Sequence, residues 1–554
     1  MMASWLLATI LLPLAGAAAI FATAGAGRPA ARAIALITSL ATLGLAAWVI
    51  SQYRYDPAGY AVYDLPWLGE RSASLAIDVR FSLGLDGLSL WLFGLSALLS
   101  VTCVLVSWEA IKDRGPLFYG LLLLLEAGML GVFVARDIIL FYVFFEFTLI
   151  PLFFLIGIWG SEQRRYAAVK FFLFTLAGSV LTFLGLLSIV LWDYYHAGDG
   201  RMTFSIPELT SRLAEAPISP SLQLAIFIAL FAGFAVKVPL FPLHTWLPLA
   251  HVQAPTAGSV LLAGVLLKIG GYGFLRFSLP MLPDASSAAV PWMLWLSTAG
   301  ILYGALVALT QRDIKRLIAY SSVSHLGFCM LGLFSLNRLG VQGGVLQLIN
   351  HGLSTGGLFA IVGMLYERYH TREIRELGGL ARRTPALAVA MLLFTFSSIG
   401  LPGMNGFAGE FLLLTGVFQL GWAEASPAGW EWQLRTIAVL SLLGVVLGAW
   451  YMLWLVERTF FGPLKEPHHG PGHDAHHSPV RDMSLREVLA LAPLVVFIFW
   501  IGLAPKFFLD RMSATLAPLT AAAARSYEDH VALERDAGKV ARGPQVAGGP
   551  ALDD

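Results

Sequence analysis

Residues 231–258 read FAGFAVKVPLFPLHTWLPLAHVQAPTAG, and residues 396–414 read FSSIGLPGMNGFAGEFLLL. Both are apolar segments that contain helix-breaking residues, beginning with Pro239 in the first and Pro402 in the second. Because proline lacks a backbone donor and clashes with the preceding turn, each helix should unwind there. Unwound backbone is tolerated in a bilayer only where it is buried in protein or lines a water-filled cavity. A matched pair of breaks favours an inverted repeat with its site at the breaks over two ordinary proline kinks.

The composition of the whole chain is that of a protein embedded in lipid. Of its 554 residues, 57% are hydrophobic and 13% are charged, whereas soluble domains carry about 25% charged residues. Apolar runs long enough to cross a bilayer, about 20 residues each, recur along the sequence. They lie at 3–24, 33–51, 84–107, 115–134, 138–159, 165–192, 222–249, 256–279, 291–310, 316–335, 341–366, 387–419, 434–460 and 487–509.

We expect an all-α polytopic membrane protein of about 14 transmembrane helices, since backbone polar groups in lipid must be satisfied within each segment. Helices 4–8 and 9–13 would form two inverted five-helix repeats, each containing a broken helix. The expected divisions are 1–110 for helices 1–3, 111–280 for the first repeat (helices 4–8), 281–462 for the second repeat (helices 9–13), 463–484 for a His-rich cytoplasmic loop, 485–510 for helix 14 and 511–554 for a polar C-terminal tail. From about residue 524 the tail has a composition typical of disorder.

The distribution of charge between loops predicts the orientation of the helices. Alternate loops are rich in Lys and Arg, for example 112–114, 312–316 and 368–383, whereas the other loops carry mainly acidic residues. Because basic loops stay on the cytoplasmic side, both termini should lie on the outer side of the membrane. The N-terminal run lacks a basic leader and is long enough to span, which favours an uncleaved first helix over a signal peptide.

Seven ionisable side chains fall at mid-depth within these runs, where each is energetically costly and therefore a functional hypothesis. They are Glu126, Glu146, Lys237, Lys268, His325, His351 and Glu410. A carboxylate opposite a lysine holds the lysine charged, and burial disfavours the ammonium, so such a pair can exchange protons. Histidine titrates near neutral pH and can pass a proton on through water. These residue types predict a proton relay across both repeats.

Each member of the relay has an expected role. We expect Glu146 and Lys237 to form an ion pair and Lys268 to act as the central relay. His325 would link the relay to the second repeat, and Glu410 would be its terminal site.

Structural roles compete with this interpretation. A buried Glu–Lys pair can simply staple two helices, and a lone histidine such as His351 is more often a hydrogen-bonding residue than a relay. Glu126 can pair with a neighbouring subunit or with a hydroxyl, whereas Asp86 and Lys170 lie near span ends and should reach the interface. Packing does not require acids, lysines and histidines together beside two helix breaks, so function is favoured for the set.

The sequence does not indicate other classes of site. It has no Gly-rich nucleotide fingerprint, P-loop, CxxC motif or haem-spaced histidine pair, and no basic stripe for nucleic acid. Cys103 and Cys329 each stand alone in an apolar run, as small core residues do. Residues 463–479 form a candidate metal-binding tract, but their Gly and Pro content favours a solvated loop. The histidines of this tract are His468, His469, His473, His476 and His477. We expect no metal and no cofactor in this chain.

Six long segments carry a family resemblance. They are FEFTLIPLFFLIGIWG (145–160), AVKVPLFPLHTWLPLAHVQAPTAGSVLLAGVLLKIGGYGFLRFSLP (235–280), QRDIKRLIAYSSVSHLGF (311–328), INHGLSTGGLF (349–359), YERYHTREIRELGGL (366–380) and GLPGMNGFAGEFL (400–412). At these segments the chain resembles the antiporter-like membrane subunits of respiratory complex I, the NADH:quinone oxidoreductase. It is most similar to the NuoM type, also called NADH dehydrogenase chain 4 or subunit M. The resemblance covers roughly residues 80–465 and extends more loosely to the terminal helices.

The resemblance implies functional roles at matching positions. The family's paired glutamate and lysine, its central lysine and its two histidines correspond to Glu146, Lys237, Lys268, His325 and His351. The residue after the second break is lysine in the L and N types and glutamate in the M type, so Glu410 favours the M type. Glu126 resembles an acid of many M-type members. The His-rich loop and the longer polar C-terminus depart from the family pattern.

The resemblance also implies an assembly and a location. The chain would be a proton-translocating subunit of the membrane arm, between L-type and N-type neighbours, in the bacterial inner membrane with both termini periplasmic. FMN, iron–sulfur clusters and quinone are expected in partner subunits, so NADH and quinone would act on this chain only through the assembly. The chain itself would hold no redox centre and bind no nucleic acid.

Three alternatives stay open at this point. The chain could belong to an Mrp-type sodium/proton antiporter, which a co-purifying FMN-containing arm would exclude. It could be a membrane subunit of a formate-hydrogenlyase or related hydrogenase, which a nickel–iron partner would reveal. It could also be a structural spacer in the membrane arm, in which case Lys268→Ala should leave proton pumping intact.

Overall fold

A computed structural model describes residues 1–69, 76–197, 200–422, 430–467 and 480–541. Its helices are α1 (Met2–Ala22), α2 (Gly27–Ser51), α3 (Leu90–Val106), α4 (Gly115–Val134), α5 (Ile138–Trp159), α6 (Arg164–Ala197), α7 (Ile206–Glu215), α8 (Pro220–Lys237), α9 (Trp246–Gln253), α10 (Thr256–Met281), α11 (Pro283–Leu309), α12 (Ile314–Leu333), α13 (Arg338–Tyr369), α14 (Pro385–Ser398), α15 (Asn405–Trp422), α16 (Glu431–Phe460), α17 (Leu485–Leu503) and α18 (Pro505–Ala541). Eleven helices in the described ranges are long and apolar enough to cross a membrane, and α3 and α14 are shorter apolar helices. The predicted helical, polytopic membrane fold is confirmed. The count of 14 spans and the inverted repeats stay predictions.

The basic loops gather at one end of the helix bundle. At the start of α2, Arg28 Nη1 and Arg32 Nη1 donate hydrogen bonds to the carbonyl oxygens of Ile111 at 3.0 Å and Trp108 at 2.7 Å. We call this end, formed by the loops between α3 and α4, α5 and α6, and α11 and α12, the basic face. The opposite end is the strand face, and its position on the outer side of the membrane stays a prediction.

The strand face carries a small sheet that the expectation of helices did not include. The strands β1 (Tyr60–Leu68), β2 (Ala76–Leu85) and β3 (Arg201–Thr203) are ordered β1-β2-β3, with β1 and β2 antiparallel and β2 and β3 parallel. These segments lie between apolar runs, where helix counting gives no signal. The Arg80 guanidinium pairs with Asp64 at 2.5 Å and, by hydrogen bonding, holds the pKa of that carboxyl below its ordinary value.

Part of the expected polar tail, 511–554, is instead the long helix α18, which we call the strap helix. Phe508, Met512, Leu516 and Ala523 are fully or almost fully buried, and their spacing places them on one helical face. Apolar residues are so sparse in this segment that its composition is typical of a disordered chain. The buried residues nevertheless recur with the spacing of a helix. Residues 542–554 of the tail lie outside the described residues.

The chain leaves the helical conformation at both proline sites. Helix α8 ends at Lys237 and α9 begins at Trp246, so Pro239 lies in a non-helical connection. Helix α14 ends at Ser398 and α15 begins at Asn405, with Pro402 between them.

Hydrogen bonds from α13 hold the second break in place. Asn350 Nδ2 donates to the Asn405 carbonyl at 2.7 Å, and Ser354 Oγ lies 2.5 Å from Ser397 Oγ. Ser397 in turn donates to Asn405 Oδ1 at 2.6 Å. Buried polar groups need such partners, and these bonds fix the position from which α15 begins.

Helix α10 is interrupted by two π-turns, at Leu262–Leu266 and Phe274–Ser278. The widened turns flank Lys268. The most apolar stretch of 18 residues in α10 is entirely buried inside the protein. Single π-turns within α-helices are frequent at functional sites. Lys268 is therefore held in the centre of the molecule by a helix of irregular pitch.

Candidate functional site

Four of the predicted residues form a continuous buried series. Lys268 Nζ lies 2.6 Å from His351 Nδ1. The rings of His351 and His325 are 5.8 Å apart between centroids, and His325 Nδ1 lies 3.8 Å from Glu410 Oε1. We call Lys268, His351, His325 and Glu410 the central series.

The order within the central series differs from the expectation. His325 was expected to follow Lys268, but His351 lies between them and contacts the lysine directly. His351 comes from α13 and His325 from α12, and sequence order says nothing about which of two neighbouring helices approaches α10 more closely. The residue with the weaker individual signal thus makes the direct side-chain contact with Lys268.

The ends of the central series are held by neutral polar groups. Lys268 Nζ also donates to the carbonyl oxygen of Ala263. Glu410 Oε1 accepts from Gln347 Nε2 at 3.1 Å, and His325 Nε2 lies 3.3 Å from Ser398 Oγ. Among the described residues, no carboxylate lies in ion-pair range of Lys268. The partners of its ammonium are instead a carbonyl oxygen and an imidazole nitrogen.

Glu146 and Lys237 do not form the expected ion pair. Within the described residues, neither is in salt-bridge contact, although the two charges interact at longer range. The Lys237 ammonium lies over the ring of Phe145, 4.5 Å from its centroid, where the negative face of the ring attracts the cation. Phe145 immediately precedes Glu146, so the ring occupies the approach to Lys237 and the carboxylate remains half-buried.

Glu126 lies apart from the central series. It is fully buried in α4, where Glu126 Oε2 accepts from Ser39 Oγ at 2.9 Å. Among the described residues, no group hydrogen-bonds to its other carboxylate oxygen. A hydroxyl partner was one of the two expected alternatives for this residue.

Two histidines of the first broken helix were missed by the sequence analysis. His251 is fully buried against the ring of Phe359, and neither of its ring nitrogens has a hydrogen-bond partner among the described residues. His244 is 3% exposed and lies 5.0 Å from the ring of Tyr303. Both stand in the proline-rich stretch 231–258, so histidine content within a predicted break was the signal available.

A cavity of about 170 Å³ opens near the basic face, beside Ala254 and Pro255 at the end of the first break. Its lining includes Lys315, Glu367 and Arg372. Lys315 Nζ donates to the carbonyl oxygen of Ala254 at 2.5 Å, just beyond the end of α9. His251 interacts electrostatically with both Lys315, in the wall of this cavity, and Lys268 of the central series.

A second cavity, of about 230 Å³, opens at the strand face, and we call it the outer cavity. Its lining includes Tyr272, Arg276, Asp86 and Arg136. Arg276 Nη2 is 2.6 Å from Asp86 Oδ2, so Asp86, which was expected to reach the interface, forms a partly buried ion pair in the wall of this cavity. The two cavities thus lie toward opposite ends of the helix bundle.

The described residues contain no group of three or more His, Cys, Asp or Glu side chains arranged to hold a metal ion. His468, His469, His473, His476 and His477 lie outside the described residues. The side chains of the central series, a lysine, two histidines and a glutamate, are proton donors and acceptors.

Comparison with known proteins identifies related chains. A family model described as NADH:quinone oxidoreductase/Mrp antiporter, TM, matches residues 135–430. The chain is 40% identical over 525 residues to a Rhodobacter capsulatus protein named NADH-quinone oxidoreductase subunit M, covering 92% of this chain and 94% of the relative. It is 42% identical over 436 residues to NADH-ubiquinone oxidoreductase chain 4 of Chondrus crispus, covering 78% and 82%.

Solved structures share the fold. A chain of respiratory complex I from Thermus thermophilus with bound NADH superimposes with a TM-score of 0.78 and 32% identity, covering 95% of this chain and all of that one. A chain of the Mrp complex from Dietzia superimposes with a TM-score of 0.77 at 21% identity, covering 96% and 99%, and shows similarity of fold alone.

Proposed function

Because the chain belongs to the NADH:quinone oxidoreductase/Mrp antiporter family and is an M-type, antiporter-like proton-translocating subunit of complex I, we propose that it moves protons through the central series. Electron transfer from NADH to quinone takes place in other subunits of the assembly. The contact that carries the proposal is that between Lys268 Nζ and His351 Nδ1, at 2.6 Å.

The atoms of the central series support stepwise proton transfer. When Lys268 is charged it donates to Nδ1 of a neutral His351, and transfer along this bond leaves a neutral lysine and a charged imidazole. His351 Nε2 has no partner among the described residues, so it can release its proton toward His325. His325 Nδ1 faces Glu410 Oε1 at 3.8 Å, a gap that a small movement or one water molecule would close.

The source of protons follows from the basic-face cavity. Its wall contains Lys315, and His251 interacts electrostatically with both Lys315 and Lys268. Histidine is suited to pass protons near neutral pH. We infer entry from the basic face through His251 to the central series, with Glu146 and Lys237 biasing the charge of Lys268 from the first repeat.

Relatives with 37–42% identity over most of their length carry names of complex I subunits, which favours this assembly over the antiporter and hydrogenase alternatives. The structural-spacer alternative requires an experiment. Under it, the central series would be buried polar packing without transport.

The test replaces Lys268 with alanine in the intact assembly, reconstituted in liposomes. We expect NADH-driven proton uptake to fall by about 10²-fold or more, as for loss of a positioned proton carrier, with subunit composition unchanged. Lys170→Ala, a lysine of α6 outside the central series, is the matched control. Normal proton pumping by the assembled Lys268→Ala variant would establish the spacer and overturn the proposal.

A further inference from the structure

Helix α10 carries a line of polar side chains from Lys268 toward the strand face. Tyr272 and Arg276 follow Lys268 at intervals of four residues, and residues so spaced share one helical face. Arg276 Nε donates to the Tyr272 hydroxyl at 3.1 Å. A proton that left Lys268 along this face would meet the phenol first and the guanidinium second.

The outer cavity reaches this line of residues. Tyr272 and Arg276 are both part of its wall, and Tyr272 is one helical turn, about 6 Å of rise, from Lys268. Thr515 and Leu519 of the strap helix complete the cavity on another side. A single turn of helix therefore separates the central lysine from a space that opens at the strand face.

The guanidinium of Arg276 is fixed at that opening. Arg276 Nη2 contacts Asp86 Oδ2 at 2.6 Å, and the guanidinium carbon lies 5.2 Å from the centre of the Tyr272 ring. Asp86 is itself held, because its Oδ1 accepts from the backbone N–H groups of Leu88 and Ser89 at the start of α3.

Two arginines and two aspartates line the outer cavity, Arg136, Arg276, Asp56 and Asp86. Of the two cations, Arg276 is the one in contact with Tyr272, the residue of this line nearest to Lys268. Arginine does not lose its proton in proteins, so Arg276 cannot serve as a step in proton transfer. A fixed cation lining a narrow path repels protons and other cations, as arginine does in selective pores.

We propose that Arg276 is the charge barrier that prevents protons from returning from the outer cavity to Lys268. This inference rests on the proposed function, because it requires Lys268 to carry protons. A purely structural alternative is that Arg276 and Asp86 staple α10 to the start of α3. The two accounts make different demands on the ion pair: the barrier needs the positive charge, whereas the staple needs both partners.

Three variants of the intact assembly in liposomes separate these accounts, with passive proton leak measured after a pH jump without NADH. Arg276→Gln removes the charge and should raise the leak about tenfold or more, since a unit charge a few ångströms from the path alters the barrier by more than the 1.36 kcal/mol of a tenfold rate. Arg276→Lys keeps the positive charge, so its proton leak should be close to that of the wild type. Asp86→Asn breaks the same ion pair but keeps the cation, so its proton leak should also be close to that of the wild type.

A wild-type leak in assembled Arg276→Gln, or equal leaks in Arg276→Gln and Asp86→Asn, would overturn the barrier. If Arg276→Gln does not assemble, Arg276→Cys can be labelled with either a cationic or a neutral thiol reagent to make the same comparison. Only the cationic label should lower the proton leak to the wild-type level. Equal leaks with both labels would again refute the barrier. The proposed function is judged separately by Lys268→Ala, whose loss of pumping does not depend on the leak of Arg276 variants.

Discussion

At the scale of single residues, the centre of the protein is a cation without an anion. Lys268 is fully buried, and its ammonium is held by the Ala263 carbonyl and by His351. Desolvation disfavours a charged lysine unless a partner compensates, and here the partner is a group that can itself take the proton. This is a chemical reason for a histidine at position 351, where an acid would hold the charge in place.

Replacement of His351 tests that reason. His351→Gln keeps a polar side chain of similar reach but cannot accept a proton, so we expect NADH-driven proton pumping to fall by about 10²-fold. The ratio of protons moved to NADH oxidised in proteoliposomes measures the effect. His196→Gln, an exposed histidine near the strand face, should leave the ratio unchanged. Full pumping by His351→Gln would remove His351 from the path.

The identities of the site residues were predictable from sequence, but their connections were not. The free-energy cost of burying an ionisable side chain in the membrane singles out Lys268, His325 and Glu410, because few such residues lie in the apolar runs. Which histidine touches the lysine depends on how α12 and α13 pack, and this is not encoded in residue spacing. His251 was missed because a proline-rich break obscures how deep its residues lie.

At the scale of elements, the second break is held by close approach of α13 and α15. A Cβ atom on Gly343 would lie 2.3 Å from the backbone nitrogen of Leu413. Backbone atoms cannot move aside as a flexible side chain can, so this contact requires glycine. The same pair of helices carries His351 and Glu410, and their spacing therefore sets the spacing of the site.

Gly343→Ala should force α13 and α15 apart. We expect destabilisation of about 1–3 kcal/mol, as for overpacking of a tight core, seen as a lower midpoint of thermal unfolding in the purified assembly. Gly44→Ala is the control, because a Cβ on Gly44 in α2 would meet nothing within 4 Å. Equal midpoints for the two variants would contradict the close contact.

Elements were predicted with different success. The proline sites indicated both breaks, because proline acts locally on the backbone. The β1–β2 hairpin was not anticipated, since its register depends on pairing between residues such as Asp64 and Ser82, which are distant in sequence. The strap helix was hidden by a polar composition whose helical period is visible only in the positions of a few buried residues.

At the scale of the whole molecule, the strap helix forms hydrogen bonds with both α3 and α11 at the strand face. Trp91 Nε1 in α3 donates to the Phe508 carbonyl at 3.3 Å, and Ser526 Oγ donates to Asp284 Oδ1 in α11 at 2.8 Å. Between these contacts its buried face packs against the helical bundle. The strap helix therefore holds the start of α3 in position relative to the start of α11.

Met512→Ala tests the packing of the strap helix. Met512 is fully buried, and truncation of a buried methionine costs about 2–5 kcal/mol, so the denaturant midpoint of the assembly should fall. Leu533→Ala, at a position of the same helix that is 69% exposed, should stay within about 0.5 kcal/mol of wild type. A larger effect at Leu533 than at Met512 would show that the packed face of the helix is misassigned.

The strap also fixes the order in which the protein is completed. The hydrogen bond from the Gly87 N–H to Thr515 Oγ1 joins positions 428 residues apart, a stretch that a ribosome translates in roughly 20–90 s at about 5–20 residues per second. All four members of the central series have been synthesised before Thr515 and Leu519 exist to wall the outer cavity. A nascent chain thus contains its proton-carrying residues before it contains the residues that complete the wall of the outer cavity.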